Sequence, residues 1–169
     1  GIKTLGQSVA KPTFKAGLEY DLAQDSMVYL QASSGYKSGG VTFNYLIDTE
    51  TGEFTHAEEM KFDEETSMSY EFGSKNRFLN NRLQVNGAVY LTVYEGAQVM
   101  MWKRIVEDED PILYIGNAGP SNMYGAEIET TYLLTKRDQM NVNVSSMKGE
   151  YTDLTVEYDS PAWAGGGDN

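Results

Sequence analysis

The sequence contains no cysteine, one histidine, four prolines and no long apolar run. Without cysteine there can be no disulfide, thiolate zinc site or cysteine nucleophile. The single histidine, His56, leaves a Ser-His-Asp triad formally open but excludes a two-histidine metal site. No stretch approaches the roughly 18 continuous apolar residues that a membrane-spanning helix needs. Positive charge is scarce too: 13 Lys and Arg stand against 25 Asp and Glu, for a net charge of −12. A duplex-binding protein neutralises phosphates with Lys and Arg, so nucleic acid is not an expected partner. Nothing at the N-terminus reads as a signal peptide, and the chain opens on Gly1 rather than Met. At 169 residues, 40% hydrophobic and 12% aromatic, the composition suits one folded domain rather than a disordered tail.

What is present is a hydrophobic period of two. From Leu83 to Tyr94, one face carries Leu83, Val85, Val89, Leu91 and Val93, and the other carries Gln84, Asn86, Tyr90, Thr92 and Tyr94. Successive side chains of a strand point to opposite faces, so this segment predicts a long strand with one apolar and one polar face. The pattern recurs at Phe14–Leu22, Val28–Ser33, Met68–Lys75 and Tyr124–Leu134, and a sixth strand is predicted from about Met140 to Met147. No helix is expected.

The connections are unequal. Short polar turns are expected near 23–26, 80–81 and 135–138, as hairpins require. Long loops are expected near 37–65, 96–121 and 148–169. Short turns at one end and long loops at the other describe a transmembrane β-barrel, whose tilted strands need about 9–11 residues to cross. Alternation alone would equally fit a soluble barrel or sandwich with its apolar face inward. Tyrosines near strand ends (Tyr20, Tyr36, Tyr70, Tyr90, Tyr94, Tyr124, Tyr132) favour the membrane, where aromatic girdles mark both interfaces.

Three blocks of sequence carry a family likeness. The first is Lys15-Ala16-Gly17-Leu18-Glu19-Tyr20-Asp21-Leu22, a turn, Met27-Val28-Tyr29-Leu30 and Ser34-Gly35-Tyr36-Lys37-Ser38-Gly39-Gly40. The second runs from Glu65 through Tyr70-Glu71-Phe72-Gly73-Ser74-Lys75 to Asn80-Asn81-Arg82 and on to Tyr90. The third is Asn117-Ala118-Gly119 leading to Tyr124-Gly125-Ala126-Glu127-Ile128-Glu129. Together, over about residues 13–155, they resemble the barrel of TonB-dependent outer-membrane receptors.

The resemblance implies an all-β fold: an antiparallel up-and-down meander of about six or seven long strands, part of a larger transmembrane β-barrel. Family barrels have about 22 strands around an N-terminal plug, so residues 1–169 are expected to be one partial barrel segment. Nothing within residues 1–169 reads as a plug or a TonB-contacting box, and Gly165-Gly166-Gly167-Asp168-Asn169 is expected to fall in an external loop. TonB is therefore expected to act only through a plug domain that this chain lacks. The implied setting is the bacterial outer membrane, with membrane lipid and a scarce nutrient as partners. That nutrient would be siderophore-iron, cobalamin or a glycan. Neither enzyme activity nor a cofactor is expected. The alternative is a stand-alone soluble β-barrel or sandwich that binds a small ligand.

No residue is singled out as catalytic, cofactor-binding or metal-binding, but several have a second reading beside a bland one. Glu107-Asp108-Glu109-Asp110 could hold a hard cation, although consecutive acids more often form a solvated loop. The acidic first loop (Asp48, Glu50, Glu53, Glu58, Glu59, Asp63, Glu64, Glu65) could meet a cationic or metal-bearing ligand, or simply keep like charges apart. His56 reads as a solvated loop histidine. Glu71, Glu127 and Glu129 fall on polar strand faces, where glycosidase chemistry is less expected than cross-strand ion pairs with Lys75 or Lys15. Trp102, with Met100, Met101 and Tyr114, and Trp163 could stack on a ligand or anchor loops to a barrel rim. Gly39-Gly40 opens no nucleotide-binding helix, and Asn143-Val144-Ser145 is read as a chance glycosylation match.

Overall fold

A computed structural model describes residues 10–42, 61–103 and 111–153. Among these described residues ten strands follow one another: β1 (Lys15–Ala23), β2 (Ser26–Lys37), β3 (Gly40–Val41), β4 (Lys61–Phe62), β5 (Glu65–Phe78), β6 (Leu83–Glu95), β7 (Gln98–Lys103), β8 (Ile112–Asn117), β9 (Ser121–Leu133) and β10 (Gln139–Tyr151). Six of them form one sheet in the order β1-β2-β5-β6-β9-β10, with every neighbouring pair antiparallel. The two remaining pairs, β3-β4 and β7-β8, are excursions within the connections at one end of the sheet. The large sheet is an open meander, and no ladder joins β1 to β10.

Register keeps the period-two pattern aligned across strands. One row on the apolar face runs Leu18–Leu30–Phe72–Val89–Ala126, and the next runs Tyr20–Val28–Ser74–Gly87–Ile128–Val144. A slip of one residue would send each set to the opposite face, so the faces themselves specify the pairing. Strands of 12–14 residues at about 3.3 Å per residue, tilted by about 40°, span roughly 30–35 Å.

This sheet has almost no interior. Ala88, Pro111 and Ala118 are the buried apolar side chains, and Thr92 is the buried polar one, among the described residues. Leu18 is 76% exposed, Val144 64%, Ile128 54%, Val89 52% and Phe72 51%. A soluble fold spends its large apolar side chains on a core, and continuous exposed apolar area marks an interaction surface. The soluble barrel or sandwich, which needs that face turned inward, is not the arrangement found.

The inner turns are tight. Gln24 and Asp25 join β1 to β2, after a register shift between Asp21 and Ala23. Between β5 and β6, Leu79, Asn80 and Asn81 all take left-handed backbone angles, with φ of 55°, 55° and 65°. Asparagine tolerates that region, whereas leucine pays roughly 1–2 kcal/mol for it. Leu79 is 60% exposed, so little packing is lost on changing it. Leu79→Asn is expected to stabilise the segment by about 1 kcal/mol, read as a shift in denaturant midpoint without a change of slope. Arg82 then ties this turn to its neighbour, donating from Nη2 to Leu133 O and Leu134 O at 3.1 Å each.

Several stretches differ from the sequence expectation, among them the loop expected from 37 to 65, whose two roots pair as β3 and β4 through Gly40↔Phe62 and Val41↔Lys61. The last strand continues to Tyr151 rather than stopping near Met147, because Lys148, Gly149 and Glu150 pair through their backbones with Tyr124, Met123 and Asn122. The stretch expected as a loop from 96 to 121 contains the β7-β8 hairpin, in which Gln98↔Asn117 through Lys103↔Ile112 are paired.

Candidate functional site

The polar face of the sheet collects the ionisable groups. It carries Glu19, Asp21, Glu71, Glu127 and Glu129 together with Lys15, Lys75 and Arg77. Tyr29 organises the middle of this face. Its hydroxyl donates to Glu71 Oε1 at 2.6 Å, and Lys75 Nζ sits 5.3 Å from the ring centroid. The ring lies over Gly73, where an added Cβ would overlap it. Tyr90 takes the same pose on Gly125, its hydroxyl 2.6 Å from where a Cβ would be. An aromatic ring folded over a cross-strand glycine covers the exposed backbone and fixes register. Beside Tyr29, a shallow depression of about 70 Å³ is lined by Ser74, Lys75, Asn86, Gly87, Ala88, Glu127 and Glu129.

The cross-strand ion pairs expected from the sequence do not form. Among the described residues, no ion pair joins Glu71, Glu127 or Glu129 to Lys15 or Lys75; the described pairs are Lys11–Glu64 and Lys148–Glu150, each at 2.8 Å. Glu71 takes the phenol of Tyr29 instead, because that ring, pressed onto Gly73, carries its hydroxyl to the neighbouring row. No sequence signal marks that bond, since Tyr29 and Glu71 are 42 residues apart.

The second candidate region is the end of the sheet that carries the long connections. Here the β7-β8 hairpin stands beside β3 and β4. Met100 is 69% exposed and Trp102 47%, and alternation puts both on one side of the hairpin. Met101, on the other side, accepts a weak hydrogen bond from Tyr114 at 3.8 Å. The four aromatic and thioether residues singled out in the sequence thus share one hairpin but divide between its faces. Lys11 contacts Glu64 in the same region, and its ammonium holds that exposed carboxyl below the usual carboxylate range. Among the described residues no group of His, Asp and Glu is arranged to hold a metal ion. His56, Trp163, the run Glu107 to Asp110, and Asp48, Glu50, Glu53, Glu58 and Glu59 lie outside the described residues.

An open, two-faced antiparallel sheet with tight turns at one end and long connections at the other is a section of a β-barrel wall. The family model for the TonB-dependent receptor-like β-barrel matches residues 3–169, and the chain belongs to that family of outer-membrane proteins. The probable TonB-dependent siderophore receptor PiuA of Acinetobacter baumannii is 22% identical over 140 residues, which cover 83% of this chain and 17% of PiuA. The ferric yersiniabactin uptake receptor FyuA from Yersinia pestis superposes with a TM-score of 0.58 at 20% identity, over 82% of this chain and 18% of FyuA. The copper transporter OprC gives a TM-score of 0.57 at 15% identity, over 81% of this chain and 20% of OprC. The chain therefore spans about a fifth of the length of these relatives.

Proposed function

We propose that this chain is a wall segment of a receptor that takes up a metal chelate, of the siderophore-iron class, across the outer membrane with energy from TonB. The observation that carries the proposal is the exposed apolar face, in register over all six strands, opposite a polar face rich in carboxylates. In a barrel wall the first face meets lipid and the second lines the lumen. The open edges β1 and β10 then pair with further strands, since lipid cannot satisfy free backbone N–H and C=O groups. TonB would act through a plug inside the lumen rather than on this segment. The ligand class draws support from the siderophore receptor PiuA and the ferric yersiniabactin receptor FyuA, and the copper transporter OprC fits metal cargo more broadly. Cobalamin and glycans have no such support here.

On this proposal the Met100–Trp102 side of the hairpin faces the outside and contacts the chelate. Radiolabelled iron offered as hydroxamate, catecholate and phenolate chelates to iron-starved cells is expected to enter only with both the intact receptor and TonB. Trp102→Ala is expected to weaken binding of the accepted chelate by about tenfold, near 1.4 kcal/mol. Uptake of labelled cobalamin or a glycan, with no iron chelate accepted, would contradict the ligand class.

A further inference from the structure

The connection between β4 and β5 is held by side chains of a different connection. Asn117, at the end of β8, brackets the backbone of Asp63: the Asp63 N–H donates to Asn117 Oδ1 at 2.7 Å, and Asn117 Nδ2 donates to Asp63 O at 3.0 Å. The same Nδ2 donates to Gly96 O at 2.8 Å, so both N–H groups and the carbonyl of this amide are engaged. A side-chain amide used in this way stands in for a strand, offering one donor and one acceptor to a peptide unit.

Gln98, at the start of β7, adds a second set of bonds. Its Nε2 donates to Asp63 O at 3.0 Å and to Ser38 O at 2.9 Å, while its backbone N–H donates to Glu65 Oε2 at 2.8 Å. Farther up the hairpin, the Ile115 N–H donates to Thr42 Oγ1 at 3.0 Å. Ser38 and Thr42 belong to the outgoing root of the first long connection, and Asp63 and Glu65 to its returning root. The base of the hairpin is therefore bonded to both. Gly96 makes the approach possible: its φ is +66°, and a Cβ there would lie 3.0 Å from Glu64 O and 3.4 Å from Asn117 Nδ2.

We propose that Asn117 and Gln98 are positioning residues that lock the β7-β8 hairpin to both roots of the first long connection, making one mechanical unit of the two. A load applied to the exposed Met100–Trp102 side then moves the β4-β5 junction as well. That this side receives ligand rests on the receptor proposal, but the lock itself does not.

The test is hydrogen–deuterium exchange on the intact receptor purified in detergent, comparing the parent with Asn117→Leu, Gln98→Leu and Asn117→Asp. Either leucine variant is expected to speed amide exchange in residues 61–66, on the other connection, by about tenfold or more. Exchange over 68–92 is expected to stay unchanged. Asn117→Asp keeps an acceptor for the Asp63 N–H but loses both donors, and is expected to fall between parent and Asn117→Leu. Acceleration confined to 96–120, or spread equally over every peptide, would overturn the proposal. If Asn117→Leu does not fold, Gln98→Leu decides the same comparison with the Asn117 bracket intact. Failure of iron uptake would sink the receptor proposal and leave this exchange result standing.

Discussion

Arginine in place of Val89 is expected to cost the folded receptor about 2–4 kcal/mol, the penalty of a cation on the lipid face of a barrel at mid-bilayer. Val89 is the central residue of β6, lies in the Leu18–Leu30–Phe72–Val89–Ala126 row and is 52% exposed. Were the apolar face in water, a half-exposed site away from any core would tolerate the change within about 0.5 kcal/mol. The two settings thus differ by several-fold in expected cost at one residue. Thr131→Arg supplies the comparison, because Thr131 pairs with Gln84 and Asn141 on the polar face. There the added cation would meet water and the carboxylate of Glu129, and the change is expected to stay within about 0.5 kcal/mol. Urea titration of receptor folded into lipid vesicles, scored by heat-modifiable gel migration, reads both values. Equal costs at the two sites would contradict the assignment of faces.

Gly73→Val is the second large effect, expected at about 2–4 kcal/mol. The new side chain would occupy the space of the Tyr29 ring, and inserting carbon into a filled site costs about 1–3 kcal/mol. Moving the ring also gives up the 2.6 Å bond to Glu71 and the cation–π contact with Lys75. Tyr29→Ala in the same chain removes the obstacle, so the double variant is expected to cost at least about 1 kcal/mol less than the sum of the singles. Gly87, one strand away, makes the contrast: a Cβ there would meet only Glu127 O at 3.7 Å. Gly87→Ala is expected to be neutral or to stabilise by up to about 1 kcal/mol through the unfolded chain. Urea titrations of the four variants check the set, and additivity between Tyr29 and Gly73 would show that the ring does not matter.

Much of the sheet was legible because its strands alternate. Leu83 to Tyr94 puts apolar and polar residues strictly in turn up to Asn86 and again from Val89, and the observed register keeps those two sets on separate faces. Where alternation fails, so did the expectation. Gln98-Val99-Met100-Met101-Trp102 is apolar on both sides of a strand, which gives period-two reasoning nothing to hold, and a loop was expected where β7 lies. Lys148 and Glu150 broke the apolar series at the end of β10, although backbone pairing with β9 continues through both. The polar contacts were the least legible. Cross-strand charge rules pointed Glu71 at a lysine, yet the geometry of one ring over one glycine gave it a tyrosine. Gln98 and Asn117 are neutral amides without a motif, and their partners Ser38 and Asp63 lie 60 and 54 residues away.

A cysteine scan along β6 tests the central claim most directly, since the segment contains no cysteine to interfere. Single cysteines from Leu83 to Glu95 in the intact receptor, in native outer membranes, would be challenged with a water-soluble thiol reagent. Those that react slowly would then be labelled with a fluorophore and exposed to a lipid-borne quencher. Even-numbered positions other than the buried Ala88 and Thr92 are expected to react with the aqueous reagent, and odd-numbered positions between Val85 and Val93 to resist it and be quenched by lipid. Aqueous labelling of the odd positions, or no alternation along the strand, would show that this sheet is not a wall facing lipid on one side and a lumen on the other.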